Sequence, residues 1–558
     1  MSMRLARKRE IKACTACARA KVKCESASGE KCKRCQRLGK VCENQAPGAH
    51  SHKRSPDSQY NREDVLRLES KIDTVSHFLS STTHSSHVSR SSLSPFLTPL
   101  TVGSEVDTVL PNHHEAVSLL DLYKSEIAPL SPFVALPSHT SPEQLRLEKP
   151  ILFMAIMMVA CQKDAPRQLN LARIVRHEIS KAVWTNGERR LALVEAILVY
   201  AAWQHVHIDL GSQLLNLLHT AVSLLTELGL NKEPNTTSNT SPGAIGEIDR
   251  ERATAVVRSL EERRALLGVF CLSSITKICL KDMETIKFTR YADRCCRALA
   301  EAKEFPSDIY LVHLARLQQK AARVGEMFYS EELEDVTGMT APLTMGMSLI
   351  EQEITAMGQT LHLDLVEFPL LQISYQTLNL YLYKTALDDR LFPASTASTT
   401  ILLRTHLLTS CLSSITTLIS HFFSLPHQTL FSLPYVIWGQ LGHAMLILSR
   451  LSDVQHGTWN RSYVAGVMDP KETSRRLARR LEEVMTLGLA EKPARCLPGI
   501  FGQLVVRLRE LGGVGAETGP GAGVQDGVRF SGFSGQGQCF EEDLMGDILF
   551  DFFELGQG

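Results

Sequence analysis

Cys14-Thr-Ala-Cys17-Ala-Arg-Ala-Lys-Val-Lys-Cys24 and, further on, Cys32-Lys-Arg-Cys35-Gln-Arg-Leu-Gly-Lys-Val-Cys42 carry six of the chain's fourteen cysteines. The spacing is C-x2-C-x6-C-x7-C-x2-C-x6-C, so the second half nearly repeats the first. Between Cys14 and Cys42 the sizeable apolar side chains are Val22, Leu38 and Val41. A segment so small and so poor in apolar residues cannot build a sufficient core, and needs disulfides or metal to hold it. The N-terminus, Met1-Ser-Met-Arg-Leu-Ala-Arg-Lys-Arg9, has no apolar stretch of signal-peptide length. The chain is therefore expected in a reducing compartment, where clustered cysteines favour metal.

Zinc takes four ligands tetrahedrally at about 2.3 Å from thiolate sulfur, and a C-x2-C pair is short enough to set both sulfurs on one ion. Six thiolates either fill one site and leave two idle, or serve two ions with two sulfurs bridging. The internal repeat favours two ions. No nearby histidine stands at ligand spacing to complete separate sites, His50 and His52 lying beyond the cluster. Zinc binding contributes on the order of 10–16 kcal/mol in small zinc modules, enough to order a segment without an apolar core.

Lysine plus arginine balance aspartate plus glutamate over the whole chain, but residues 1–54 hold fifteen basic residues against four acids (Glu10, Glu25, Glu30, Glu43). A basic arm on an acidic body is the charge pattern of nucleic-acid binding. Two zinc ions and six thiolates lower that surplus by only two charges. Single-stranded RNA readers stack bases on aromatic side chains, and residues 1–59 contain none, which favours duplex DNA as the partner.

Ala13-Cys-Thr-Ala-Cys-Ala-Arg-Ala-Lys-Val-Lys-Cys24, Lys31-Cys-Lys-Arg-Cys35 and Leu38-Gly-Lys-Val-Cys42 resemble the fungal binuclear zinc cluster family of transcription regulators. The resemblance implies that Cys14 and Cys32 bridge two zinc ions, with Cys17 and Cys24 completing one site and Cys35 and Cys42 the other. It also implies that Lys21 reads base edges at a CGG half-site, and that Lys23 and Arg19 approach phosphates. Lys33 and Arg34 hold the corresponding places in the second half-repeat. Lysine and arginine suit the N7 and O6 acceptors of guanine, whereas phosphate contacts fix register without reading sequence. Ala18 and Ala20 stand where the family usually carries basic residues, and Glu30 replaces its usual proline.

The expected fold class is mostly α, with a basic zinc-cluster module over 1–44 and a polar linker over 45–61. A short coiled coil over 62–79 follows, because Val65, Leu68, Ile72, Val75 and Leu79 recur at 3-4-3-4 spacing, the pattern of a dimer seam. Two heptads fall short of the usual three or four, so an ordinary amphipathic surface helix fits as well. Residues 80–111 are rich in Ser, Thr and His and read as a disordered linker. Residues 112–511 repeat apolar positions at helical spacing, as in Leu191, Val194, Ile197, Leu198 and Ala201, and read as a large all-α regulatory domain. It resembles the helical region of the branch that contains leucine-biosynthesis and weak-acid-response regulators. The glycine-rich tail, 512–558, ends in alternating acids and bulky apolar residues. Such alternation is typical of activation segments that bind a coactivator, and the same residues would also make a docked terminal helix.

Together these features imply a homodimeric, DNA-binding regulator of RNA polymerase II transcription. Arg7-Lys8-Arg9 and Lys53-Arg54 suit nuclear import or a DNA-backbone arm, and both point to the nucleus. The most apolar run, Ile151 to Cys161, is about half of a bilayer span, so no membrane is expected. There is no phosphate-binding loop, nucleophile elbow or His-Glu-x-x-His helix, and the expectation is a non-enzyme. His205 with His207, Cys295-Cys296 and Asp388-Asp389 are read as structural, and Glu261-Glu262-Arg263-Arg264 as a solvated helix start.

Overall fold

The computed structural model describes residues 14, 17, 24, 31–39, 41–43, 109–234, 258–280, 283–330, 333, 336–361, 367–393, 398–457, 459–491 and 499–513. The chain divides into two units, Met1–Thr98 and Pro99–Gly558. The seam residues Val65, Leu68, Ile72, Val75 and Leu79, both linkers up to residue 108, and the tail from residue 514 lie outside the described residues.

Among the described residues the structure is helical, with one isolated β-bridge between His456 and Trp459; the mostly-α expectation is met. The first unit holds α1 (Lys33–Arg37). The second holds α2 (His113–Leu122), α3 (Pro142–Glu148), α4 (Pro150–Ala160), α5 (Ala165–Ser180), α6 (Leu191–Ala202), α7 (Leu214–Glu227), α8 (Leu260–Cys279), α9 (Arg290–Ala302) and α10 (Ser307–Phe328). It continues with α11 (Ala341–Thr360), α12 (Pro369–Tyr383), α13 (Ser398–Ser424), α14 (His427–Leu430), α15 (Tyr435–Asp453), α16 (Arg461–Val467), α17 (Pro470–Glu491) and α18 (Gly499–Leu511).

The helix starts follow from local chemistry. Side-chain oxygens of Asn112, Ser141, Asp164 and Thr289 accept from the third amide beyond each, and α8 opens on a reciprocal box between Ser259 and Glu262. Such caps satisfy backbone donors that a helix leaves unpaired, and are typically worth about 1 kcal/mol each. Pro142, Pro150 and Pro369 take first-turn positions, where the missing N–H costs nothing.

α4 is apolar on all sides and α6 is apolar except for Glu195, and both are buried along most of their length, as helices without a polar face must be. α8 lies at the centre, packed on α6, α9, α10 and α15. A Cβ at its Gly268 would stand 2.8 Å from the Cβ of Phe133, so the close approach there needs glycine. Among the described residues one helix, α13, is long and apolar enough to cross a membrane by length and composition, which the Ile151–Cys161 comparison did not anticipate. Half of its apolar stretch is buried inside the unit. Leu407, Leu408, Cys411, Ile415, Leu418 and Ile419 face the core there, as in a core helix.

The reading of Glu261 to Arg264 as a solvated start is corrected in part. Glu262 does cap the helix, but Arg264 is buried: its Nε donates to Asp308 at 2.6 Å, and its Nη2 to Asp308 at 3.0 Å and Glu304 at 2.6 Å. α8 is covered by α9 and α10 almost from its first turn, so a residue facing inward there is enclosed whatever its charge.

Candidate metal centre

The six cysteines of the first unit converge. Cys14, Cys17, Cys24 and Cys32 form one group of four sulfurs, and Cys14, Cys32, Cys35 and Cys42 a second, each with its sulfurs within 4.8 Å of one another. Cys14 and Cys32 belong to both groups. Cys14 Sγ is 3.8 Å from Cys32 Sγ and 3.7 Å from Cys35 Sγ, and Cys17 Sγ is 3.7 Å from Cys32 Sγ. Four sulfurs about 2.3 Å from a central zinc stand about 3.8 Å apart along the edges of their tetrahedron. A disulfide would need about 2 Å. The donor set and its spacing fit a thiolate-bound metal.

The backbone repeats as the sequence does. The N–H of Cys14 donates to Cys24 Sγ at 3.4 Å, and ten residues separate the pair; the N–H of Cys32 donates to Cys42 Sγ at 3.3 Å across the same interval. Cys32 caps α1 by accepting from Cys35 N–H. These amide donors set the thiols apart. The N–H of Cys35 holds Cys32 at about 6, and that of Cys17 holds Cys14 below the ordinary thiol value. Burial and neighbouring sulfurs push Cys17 and Cys35 up. Cys24, with Cys14 N–H opposing, is pushed up to about 11 by burial and the sulfur of Cys32, and Cys42 is raised in the same manner. Six crowded thiols cannot all ionise unaided. A cation among them would supply the missing charge, and its binding would release protons.

Leu38 and Val41 are exposed, and among the described residues the buried cluster of this unit consists of cysteines. Lys33 sits exposed on α1. Arg34 beside it is half-buried. Arg19, Lys21 and Lys23 lie outside the described residues.

No second centre appears among the described residues. His207 stacks on Tyr200 at 3.9 Å and bonds its carbonyl, whereas His205 stacks on Tyr435 and meets the edge of Phe501. Burial lowers His205 to about 3 and His207 to about 4, which keeps both neutral. Cys295 and Cys296 are buried, and burial raises both thiols, the opposite of an activated cysteine. Asp388 pairs with Arg390 and Asp389 with Arg404.

A model of the WAR1 C-terminal domain family matches residues 66–451. The chain is similar to transcription factor himD of Aspergillus japonicus, with 28% identity over 514 residues, 89% of this chain and 83% of that protein. Transcription factor opdL of Penicillium oxalicum is 28% identical over 490 residues, 85% of this chain and 83% of the relative. The weak acid resistance protein 1 of Saccharomyces cerevisiae is 29% identical over a shorter reach of 111 residues, 18% of this chain and 12% of that protein.

Proposed function

From the premise that the chain belongs to the WAR1 C-terminal domain family, we propose that it regulates transcription by gripping duplex DNA with an N-terminal module built on two zinc ions. The carrying observation is the pair of four-sulfur groups sharing Cys14 and Cys32 at tetrahedral edge distances. The names of the fungal relatives, which cover most of the chain, support regulation as the task. Cys17 and Cys24 complete one ion and Cys35 and Cys42 the other. The metals supply the cross-links; the chain's own groups do the binding. Lys21 reads guanine edges in a CGG half-site, Lys23 and Arg19 hold phosphates, and Lys33 and Arg34 join them from α1.

The rest of the reading follows the order of segments. The seam from Val65 to Leu79 pairs two copies, the helical unit modulates output, and the acidic, apolar tail recruits a coactivator of RNA polymerase II in the nucleus. An unbiased selection from random duplexes tests the DNA assignment: CGG-containing sites are expected to be enriched. Lys21→Ala is expected to remove that preference at a cost of about 1–3 kcal/mol, the usual worth of a good base contact. Lys23→Ala should weaken all duplexes alike and lower the salt slope by about one unit. Unchanged discrimination in Lys21→Ala with lost discrimination in Lys23→Ala would refute these roles.

A further inference from the structure

Lys149, Glu195 and Glu261 meet where the start of α4, the middle of α6 and the first turn of α8 come together. Lys149 Nζ donates to Glu195 Oε2 at 2.8 Å and also to Glu261. The two carboxyl groups thus share one ammonium. Two ionised carboxylates beside that ammonium can only accept from it and repel each other, whereas a proton on one lets it donate to the other. One ammonium and two carboxylates would also leave a net negative charge in a site where the Glu195 side chain is 3% exposed. Burying unpaired charge is costly, and neighbouring carboxylates in such a site share a proton instead.

We infer that these three residues form a proton-dependent clasp that ties the first turn of α8 to α6. One proton, carried by Glu195 and donated to Glu261, closes it. Loss of the proton leaves two repelling carboxylates, and the clasp opens on the side of Glu261, whose side chain is already 41% exposed. Glu195 stays with Lys149 because it has no path to water. The other groups facing the site are Arg264 behind Glu261 and the Tyr123 hydroxyl, which is occupied in donating to Val134 O. The charges agree with where the proton sits. Burial first, and then Glu261, push Glu195 up to about 8 while Lys149 opposes; Glu261, despite its own burial, is held below the ordinary value by Glu195 and Lys149.

The sign of the linkage follows. The unfolded chain releases this proton near the usual glutamate value of about 4.3, and the folded chain keeps it to higher pH. The clasp's stabilisation is therefore complete at acid pH and is lost as pH rises toward 8. Between about pH 5 and 8 the unfolding constant of the full chain should rise up to tenfold per pH unit relative to Glu195→Gln, the slope for one linked proton. Glu261→Gln supplies a permanent amide donor to Glu195 and should also remove the extra slope. Hydrogen exchange of residues 258–266 in the wild type should quicken over the same range beyond the intrinsic pH effect, and in neither variant. Infrared difference spectra of the wild type should show a protonated carboxyl disappearing across it, which tests the clasp even where a variant does not fold. Parallel pH profiles for wild type and Glu195→Gln, or no such carboxyl in the infrared, would overturn the inference.

Discussion

Cys32→Ala is expected to strip the N-terminal module of both metals, whereas Cys42→Ala should cost one. Cys32 belongs to both four-sulfur groups and Cys42 to the second alone. With Cys32 removed, each group keeps three thiolates, and the cap on α1 is lost with it. With Cys42 removed, the set Cys14, Cys17, Cys24 and Cys32 stays whole. Zinc in small modules contributes on the order of 10–16 kcal/mol to their folding, and among the described residues of the module the buried cluster is made of cysteines. Cys32→Ala should thus leave the module unfolded and abolish DNA binding, while the helical unit, with its own large core, keeps its thermal transition. The check is zinc retained per chain after competition with a chelator. Equal zinc content in the two variants would contradict the sharing of Cys32.

The second large effect is expected at Arg264→Ala, far from the cysteines. Asp308 is 1% exposed and receives both Nε and Nη2 of Arg264, a fork-on-carboxylate contact, together with the N–H of Phe305 at the start of α10. Removing the guanidinium leaves that carboxylate buried without its counter-charge, which typically costs about 3–5 kcal/mol. The packing of Arg264 over the Phe305 ring at 4.6 Å is lost too. Arg461→Ala is the control, since its pair with Asp453 is exposed on both sides and exposed pairs contribute at most about 1 kcal/mol. Thermal unfolding of both variants measures the difference. A shift at Arg264 no larger than at Arg461 would show that the buried pair is not holding α8 to α10.

The same two places show why part of the molecule was legible in sequence and part was not. Cys14 to Cys42 could be read because metal-ligand spacing is local: the residues that meet are close in the chain, and few side chains can replace a thiolate. The apolar period over Leu191–Ala201 likewise became α6, since a helix is written by its neighbours at three and four positions. Arg264 with Asp308, or Lys149 with Glu261 at 112 positions' separation, left no such trace. A buried arginine is spelled like an exposed one, and only the packing of α8 under α9 and α10 decides which it is. α13 escaped notice for a related reason: its apolar residues are interrupted by Thr and Ser, whose hydroxyls bond back to carbonyls four residues earlier. These residues fit a helix that is half buried.

The account rests most heavily on six sulfurs serving two ions, and zinc counting on the reduced, full-length chain tests it directly. Native mass spectrometry should find two zinc ions per chain, and both should leave on acidification with loss of DNA binding. A fully reduced preparation that binds DNA with one zinc ion per chain would contradict the shared-thiolate centre.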